Sequence, residues 1–349
     1  MTTMRAAVLH GIHDLRVEER TAPEPGPGQV LLRIRRAGIC GSDIHYFEDG
    51  RVGSFVVTAP FILGHEVTGD VAALGEGVDG PCLGQRVVVN PARQCGQCDY
   101  CRSGRGNLCR RVRMLGSAST KPPTNGGFCQ YLAIGVEQCF PIGPEIDDEI
   151  AAMMEPFAVA LHAAHRAGAL AGKRVLVTGG GPIGLLAIIV ARTYGAAIVA
   201  LSDPVENRRA MARQVGADAV LDPTAASFSD EVARLTGDGF DVMFEASGSP
   251  PAVRQAFEVV RRGGTLVQIG SIAQPEISLP VNQLMVREIQ FVGSFRYGNV
   301  FEEGVRLLAA GRVDLRPLVS EVFPLAQAPQ ALEAACQRDR VVKVQIDLN

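Results

Sequence analysis

Four cysteines stand within fifteen residues, Cys95-Gly-Gln-Cys98-Asp-Tyr-Cys101-x7-Cys109. Four thiolates so close in one loop can wrap a tetrahedral Zn²⁺ completely and leave no position for substrate, the mark of a structural site. The metal would then fix a long loop in place of a hydrophobic core. An iron–sulfur cluster uses the same ligands and is the alternative that sulfur spacing leaves open. A second set is dispersed over Cys40-Gly-Ser-Asp-Ile-His45, Gly64-His65-Glu66 and Met154-Glu155-Pro156. Cys40, His65 and one or both carboxylates make a mixed ligand set with room for water or substrate, which is how a catalytic zinc is built. Spacing cannot join positions 40, 65 and 155. A third group is Arg174-Val-Leu-Val-Thr-Gly179-Gly-Gly181-Pro-Ile-Gly184, a strand, a glycine turn and a helix start. Gly179 allows the tight turn, Gly181 lets backbone approach a pyrophosphate, and Gly184 lets the helix pack close to the strand. Asp203 ends the following strand, 19 residues after Gly184. An acid there accepts hydrogen bonds from ribose hydroxyls and repels a 2′-phosphate, which favours NAD over NADP. Arg208 and Arg209 in the next helix are the groups that could reach a 2′-phosphate.

These groups need elements to hold them. Short β-type runs at 6–9, 14–18, 29–35, 67–74, 86–90 and 128–134, broken by Gly and Pro, predict an all-β domain. Two long loops, 39–60 and 91–127, carry its candidate ligands, and loops of that length are usually functional. From Asp147, a plausible N-cap, a helix is expected through Ile150, Met153 and Met154, with Pro156 kinking it. Apolar strands then read at 174–178, 198–202, 219–222, 241–245, 265–269 and 289–293, with helices at 182–194, 205–214, 229–235 and 251–261. Strands alternating with helices predict an α/β Rossmann domain, a doubly wound parallel six-stranded sheet. A helix at 301–310, a strand near 318–323, a helix at 328–338 and a last strand at 341–346 follow, and this C-terminal segment is expected to return to the first sheet. The expected division is a catalytic domain at 1–155 with a metal lobe at about 91–112, a nucleotide domain at 156–294, and a returning segment at 295–349.

Composition bounds the rest. At 349 residues the chain is long enough for about two domains. With 47% hydrophobic and 20% charged residues it is not a disordered chain. A net charge of −3 without blocks of like charge argues against nucleic acid and anionic membranes as main partners. The apolar run at 6–9 is too short for a signal-peptide core, and 183–191 ends at Arg192, far short of a membrane span. Nine cysteines, an odd number, with no legible export signal point to a reducing, cytoplasmic setting. Cys82, Cys129, Cys139 and Cys336 are expected to be small buried hydrophobes.

Gly64-His65-Glu66-x2-Gly69-x5-Gly75-x2-Val78, the four-cysteine lobe and Thr178-Gly-Gly-Gly-Pro-Ile-Gly184 together resemble the zinc-containing medium-chain dehydrogenase/reductase family over essentially the whole chain. Cys40-Gly-Ser-Asp-Ile-His-Tyr46, Glu155-Pro156 and Phe295-Arg296-Tyr297 are similar to its polyol (sorbitol-type) branch. Residues 38–50, 89–96 and 116–118 are similar to the L-idonate 5-dehydrogenases of that branch, while Met114-Leu115 replaces an Arg-Phe-Tyr.

The resemblance implies a GroES-like first domain and two zinc ions per chain, one structural and one catalytic, the latter on Cys40, His65 and Glu66 or Glu155. It implies a proton relay from Ser42 to His45, a catalytic part for Glu155, and Asp43 orienting His65. Cofactor contacts are implied at Gly179, Gly181, Ile183, Gly184, Asp203, Arg208, Ile269, Gly270, Ser271, Ser294 and Phe295. Substrate contacts are implied at Tyr46, Glu155, Arg296 and Tyr297, with Arg113, Lys121 or Arg296 as the cation for a sugar-acid carboxylate. The implied reaction is oxidation of a secondary hydroxyl of a polyol or sugar acid, L-idonate to 5-ketogluconate first. Zinc acts on the alcohol oxygen and NAD takes the hydride. Sorbitol or xylitol, then L-threonine, are alternative substrates; threonine dehydrogenases usually carry Asp-Pro where this chain has Glu155-Pro156. A non-catalytic nucleotide-binding relative is the alternative outside enzymes, disfavoured by Cys40, His65 and Glu155 occurring together. A homodimer or homotetramer is implied.

Overall fold

The computed structural model describes residues 2–274 and 276–349. It contains two compact units, one running to Glu155 and including Phe301–Asn349, the other Pro156–Val300. In the first unit Gln29–Gly38 shows the period-2 pattern of a half-buried strand, with Val30, Leu32 and Ile34 inward and Arg33 outward. It is central to a seven-stranded sheet ordered Cys139–Pro141, Arg86–Val89, Glu66–Leu74, Gln29–Gly38, Lys343–Asp347, Val319–Pro324, with Tyr131–Gly135 also paired to Gln29–Gly38. The chain's last strand is thus inserted beside one of its first. Gly38 pairs with Glu66 on one side and Gln345 on the other, which brings three distant segments to one sheet end.

The expected loop at 39–60 is partly a helix, Gly41–Asp49. Asp43 reaches back to the Cys40 backbone N–H as a capping-box residue, and Gly50, at φ 65, ends the helix in the left-handed conformation. Residues 91–114 form a lobe closed by the strand pair Ala92–Arg93 and Arg113–Met114.

The second unit carries six parallel strands in the order Ala219–Leu221, Ile198–Ser202, Arg174–Thr178, Phe240–Glu245, Val260–Gln268, Gln290–Gly293. In chain order this is 3-2-1-4-5-6, the doubly wound arrangement whose strand order reverses beside the first strand. Val175, Leu176 and Val177 are wholly buried, as expected where helices cover both faces.

Several expectations need correction. There is no kinked helix from Asp147: Asp148–Ala151 and Met154–Ala167 are separate, and Pro156 sits in the first turn of the second, where its missing N–H is no loss. The chain leaves the second unit at Phe301 rather than at 295. The Ser294 N–H bonds the Gln268 carbonyl, and Gly298 lies so close to His162 that a Cβ would meet its ring at 2.9 Å. The helix Val281–Val286 was not anticipated. Of the four residual cysteines only Cys129 is fully buried; Cys139 and Cys336 are half-buried, and Cys82 is exposed in a turn. No helix among the described residues is long and apolar enough to cross a membrane.

Candidate metal and nucleotide sites

Cys40 is the N-cap at the end of one central strand and Glu66 the first residue of its antiparallel neighbour, so the pairing of Gly38 with Glu66 makes the two ends adjacent. Gly64 holds φ +91, and a Cβ there would strike the Phe128 ring at 2.2 Å, so only glycine fits the turn that delivers His65. Asp43, with no exposed surface, ties the two segments together. Its Oδ2 accepts from the Cys40 N–H at 2.9 Å and its Oδ1 from the Gly64 N–H at 3.1 Å, with His65 Nδ1 3.8 Å from that oxygen. Burial pushes the Asp43 carboxyl up against the pull of His65. Burial also works against the His65 imidazolium, but the charges of Cys40 and Asp43 outweigh it and hold its pKa well above the ordinary value.

The ligand atoms of Cys40, His65 and Glu66 lie within 4.8 Å of one another. His65 Nδ1 is buried without a hydrogen-bond partner. A half-buried thiol meeting a buried imidazole and a buried carboxylate suits a zinc-like divalent ion. Both Glu66 oxygens are also bonded, at 2.7 and 2.8 Å, by Lys343 Nζ, which donates to the Ile39 carbonyl at 2.9 Å as well. Lys343 is 3% exposed and Glu66 1%. Burial lowers the lysine's pKa, yet the attraction of Glu66 leaves it raised. Gly38 leaves space for this pair: a Cβ there would stand 2.1 Å from Glu66 Oε2. Glu155 falls outside the 4.8 Å group but within electrostatic reach of His65, Glu66, Lys343 and Asp43, and burial lifts its carboxyl to about 7. It has no hydrogen bond or ion pair among the described residues.

Sequence reasoning missed Lys343. Its one signal is a lysine inside the apolar run Val341-Val-Lys-Val-Gln-Ile346 of a strand expected to be buried.

Ser42 and His45 lie three residues apart on the helix Gly41–Asp49, hence on one face. Ser42 is half-buried; His45 is exposed and pairs with Asp49 at 3.0 Å. Tyr46 is 2% exposed, edge-on to Phe61, and its hydroxyl accepts from the Ala118 N–H at 3.0 Å and bonds Ser117. Lys121 is exposed, and Arg113 lines a concavity on the lobe together with Arg93 and Arg111.

In the lobe, the sulfurs of Cys95, Cys98, Cys101 and Cys109 lie within 4.8 Å of one another. The Cys95 and Arg111 backbone N–H groups donate to Cys109 Sγ at 3.3 and 3.4 Å, the usual way a metal-binding thiolate is stabilised. Hydrogen bonds from the backbone at Gln97 and Cys98 draw the Cys95 thiol down to about 6. The four-thiol set fits a closed structural zinc site.

In the second unit, Gly179 has φ +89, and a Cβ at Gly184 would stand 1.8 Å from the Gly179 carbonyl oxygen. The helix Pro182–Thr193 begins at Gly181 with no side-chain cap and open space before it, so its N-terminal N–H groups form a cradle that fits a pyrophosphate. Asp203 is buried, accepting from Gly180 N–H at 2.7 Å and Val205 N–H at 2.8 Å, with Arg208 Nη1 3.6 Å away. Arg209 donates to the Asp203 carbonyl at 2.6 Å. Glu245, which sequence reasoning did not single out, is wholly buried. It accepts from Thr178 Oγ1, from the Ser247 backbone and hydroxyl, from Gly248 N–H and from Gln268 Nε2, tying three strand-end loops together. Ile183, Ile269, Gly270 and Ser294 are half-buried and Ser271 and Phe295 exposed. Arg296 holds φ 56 and stacks on Phe295, with its Nη1 buried and without a hydrogen-bond partner. Tyr297 is buried.

Residues 182–310 match the family model described as zinc-binding dehydrogenase, and residues 26–144 match the alcohol dehydrogenase GroES-like domain. The chain is 38% identical to the sorbitol dehydrogenase of Bacillus subtilis over 98% of its own length and 97% of the relative's. It is 37% identical to the L-idonate 5-dehydrogenase (NAD(P)(+)) of Escherichia coli, over 98% of each chain. The crystal structure of the Escherichia coli L-idonate 5-dehydrogenase superposes with a TM-score of 0.93, covering 99% of this chain and 98% of that one. A Sinorhizobium meliloti protein solved with NADP bound is 33% identical, with a TM-score of 0.89 over 99% of this chain and all of the other.

Proposed function

This chain belongs to the zinc-containing medium-chain dehydrogenase family, and from that premise we propose that it oxidises a secondary hydroxyl of a sugar acid with NAD, converting L-idonate to 5-ketogluconate. The observation that carries the reading is the convergence of half-buried Cys40 with buried His65 and Glu66, with Glu155 within electrostatic reach. When bound, zinc supplies a Lewis acid for the alcohol oxygen and NAD the hydride acceptor.

Cys40, His65 and Glu155 would hold the catalytic zinc. Glu155 is supported by its place within electrostatic reach of His65 and by the burial that lifts its carboxyl to about 7, which a cation would offset. Glu66 shares its charge with Lys343 and serves as the neighbouring anion. Asp43 keeps the His65 ring in place. Ser42 takes the hydroxyl proton and His45, on the same helix face and open to water, passes it out. Cys95, Cys98, Cys101 and Cys109 would hold the structural zinc.

The bare helix start after Gly181 would hold the pyrophosphate of NAD and Asp203 would accept from its adenosine ribose, with Ile183, Arg208 and the backbone of 269–271 and 294–295 as further contacts. Arg296 is the cation for the substrate carboxylate, supported by its strained backbone and its buried, unpartnered Nη1; Tyr297 follows it in the same segment.

Self-association as a homodimer or homotetramer is part of the proposal. The strand Gln290–Gly293 is an open sheet edge carrying the partly exposed Phe291, and Val281, Met285 and Val286 on the helix before it are exposed.

Sorbitol is the second reading, favoured by the sorbitol dehydrogenase at 38% identity. Initial rates on L-idonate, D-gluconate, sorbitol, xylitol and L-threonine, each with NAD and NADP, test both, alongside zinc analysis. The expected result is two zinc per chain and the highest kcat/KM on L-idonate with NAD. Faster turnover of sorbitol selects the second reading, and no turnover of any of the five by zinc-loaded protein ends the proposal.

A further inference from the structure

Between positions 91 and 113 six arginines, Arg93, Arg102, Arg105, Arg110, Arg111 and Arg113, stand against a single acid, Asp99, in a chain whose net charge is −3. A closed tetrathiolate zinc site would add two negative charges, which still leaves the lobe strongly positive. The arginines are not equally compensated. Arg110 pairs with Asp99 at 2.9 Å and lies over Tyr100, as Arg105 does. Arg93 has only Glu137, 3.5 Å away with both side chains about half exposed. Arg111 has a neutral partner, the Gln97 amide at 3.5 Å, and Arg113 has no bonded partner among the described residues. Arg93 and Arg113 face each other directly across the antiparallel pair Ala92–Arg93 and Arg113–Met114. Like charges at directly opposed strand positions repel, so this short pair is assembled against its own electrostatics.

Arg93, Arg111 and Arg113 line one concavity of about 390 Å³, completed by Gln94, Cys95 and Gln97, while Arg102 and Arg105, also without an acidic partner among the described residues, lie outside it. That volume lies within the range of small-molecule sites. Its lining holds three guanidinium groups and two amides but no carboxylate.

We propose that this concavity is an anion site for a phosphate-bearing small molecule, a phosphomonoester, held by Arg93, Arg111 and Arg113. A guanidinium fork matches phosphate oxygens bidentately, and a dianion relieves the facing of Arg93 and Arg113 in a way that a single carboxylate does only in part. Because the arginines are exposed, the affinity falls as salt screens them.

The test uses the zinc-loaded full chain saturated with NADH, so that the cofactor's own phosphate cradle is filled. Inorganic phosphate is titrated calorimetrically at low ionic strength. The expected result is one site per chain with a Kd below roughly 1 mM, and acetate binding at least about tenfold more weakly. Arg111→Gln with Arg113→Gln should weaken phosphate at least about tenfold while zinc content and phosphate-free Tm match the unaltered chain. If that double variant loses its lobe zinc, Arg93→Gln, on the other strand, is measured instead and should weaken phosphate several-fold. Phosphate binding unchanged in a zinc-replete variant, acetate binding as tightly as phosphate, or no phosphate binding at 10 mM (about ten times the expected Kd) overturns the proposal. None of these outcomes bears on the dehydrogenase reading, which the substrate panel tests separately.

Discussion

The two candidate metal-ligand clusters of the first unit are built in opposite ways. The lobe takes all four ligands from one stretch of fifteen residues, with Cys95, Cys98 and Cys101 half-exposed and short backbone bonds to sulfur as its support. The other takes Cys40, His65, Glu66 and the nearby Glu155 from segments up to 115 residues apart, buries the imidazole and carboxylates, and is braced from the far C-terminus by Lys343. A local cluster of this kind would close around an ion and stabilise the chain. A cluster gathered by the fold can keep a ligand position open, because no single loop has to surround the ion.

Paired cysteine variants test that division most severely. Cys40→Ala is expected to lower turnover by more than about 10³-fold with NADH affinity unchanged, since it removes Lewis-acid assistance worth several kcal/mol. Cys98→Ala is expected to lose one zinc per chain and about 5 °C or more of Tm while kcat per folded chain stays within about threefold. Stopped-flow turnover, fluorescence titration of NADH and zinc analysis read these differences. Equal losses of activity and stability in the two variants would break the comparison.

Lys343 sharpens it. Lys343→Met leaves Glu66 buried without its partner and should cost about 3–5 kcal/mol. Adding Glu66→Gln should return part of that loss, which denaturant unfolding of the two single variants and the double variant measures as a coupling energy. Additive losses would mean that the pair does not act as a unit.

Glycine substitutions give the smallest effects. Gly38→Ala pushes on Glu66 Oε2 and is expected to cost about 1–3 kcal/mol and also reduce turnover. Gly96→Ala in the lobe meets open space but holds φ +69, so it should cost about 1–2 kcal/mol with turnover intact. Loss of turnover in Gly96→Ala would show that the lobe reaches the chemistry.

How legible each region was follows from how local its physics is. The strands of the nucleotide unit read directly from apolar runs such as Arg174-Val-Leu-Val-Thr178, because a parallel sheet buries both faces. The helix Gly41–Asp49 was missed because its start depends on Asp43 capping Cys40, while that same carboxylate also holds the Gly64 turn. The bracing of the Tyr46 hydroxyl by Ser117 and Ala118, 71 and 72 residues away, is likewise invisible in the motif that carries it.

By itself the amino-acid order determined the glycine turn at 179–184, the acid at 203 and the four-thiol spacing, which are local along the chain, and the apolar runs alternating with helices from which the parallel fold is read. Only the tertiary structure decided that Cys40, His65 and Glu66 meet at one point, that Glu155 stands within electrostatic reach of it, and that Lys343, 277 residues from Glu66, neutralises that carboxylate. The reason is physical: burying several charges together is tolerable only when their partners arrive at once, and the pairing of Gly38 with both Glu66 and Gln345 brings them together.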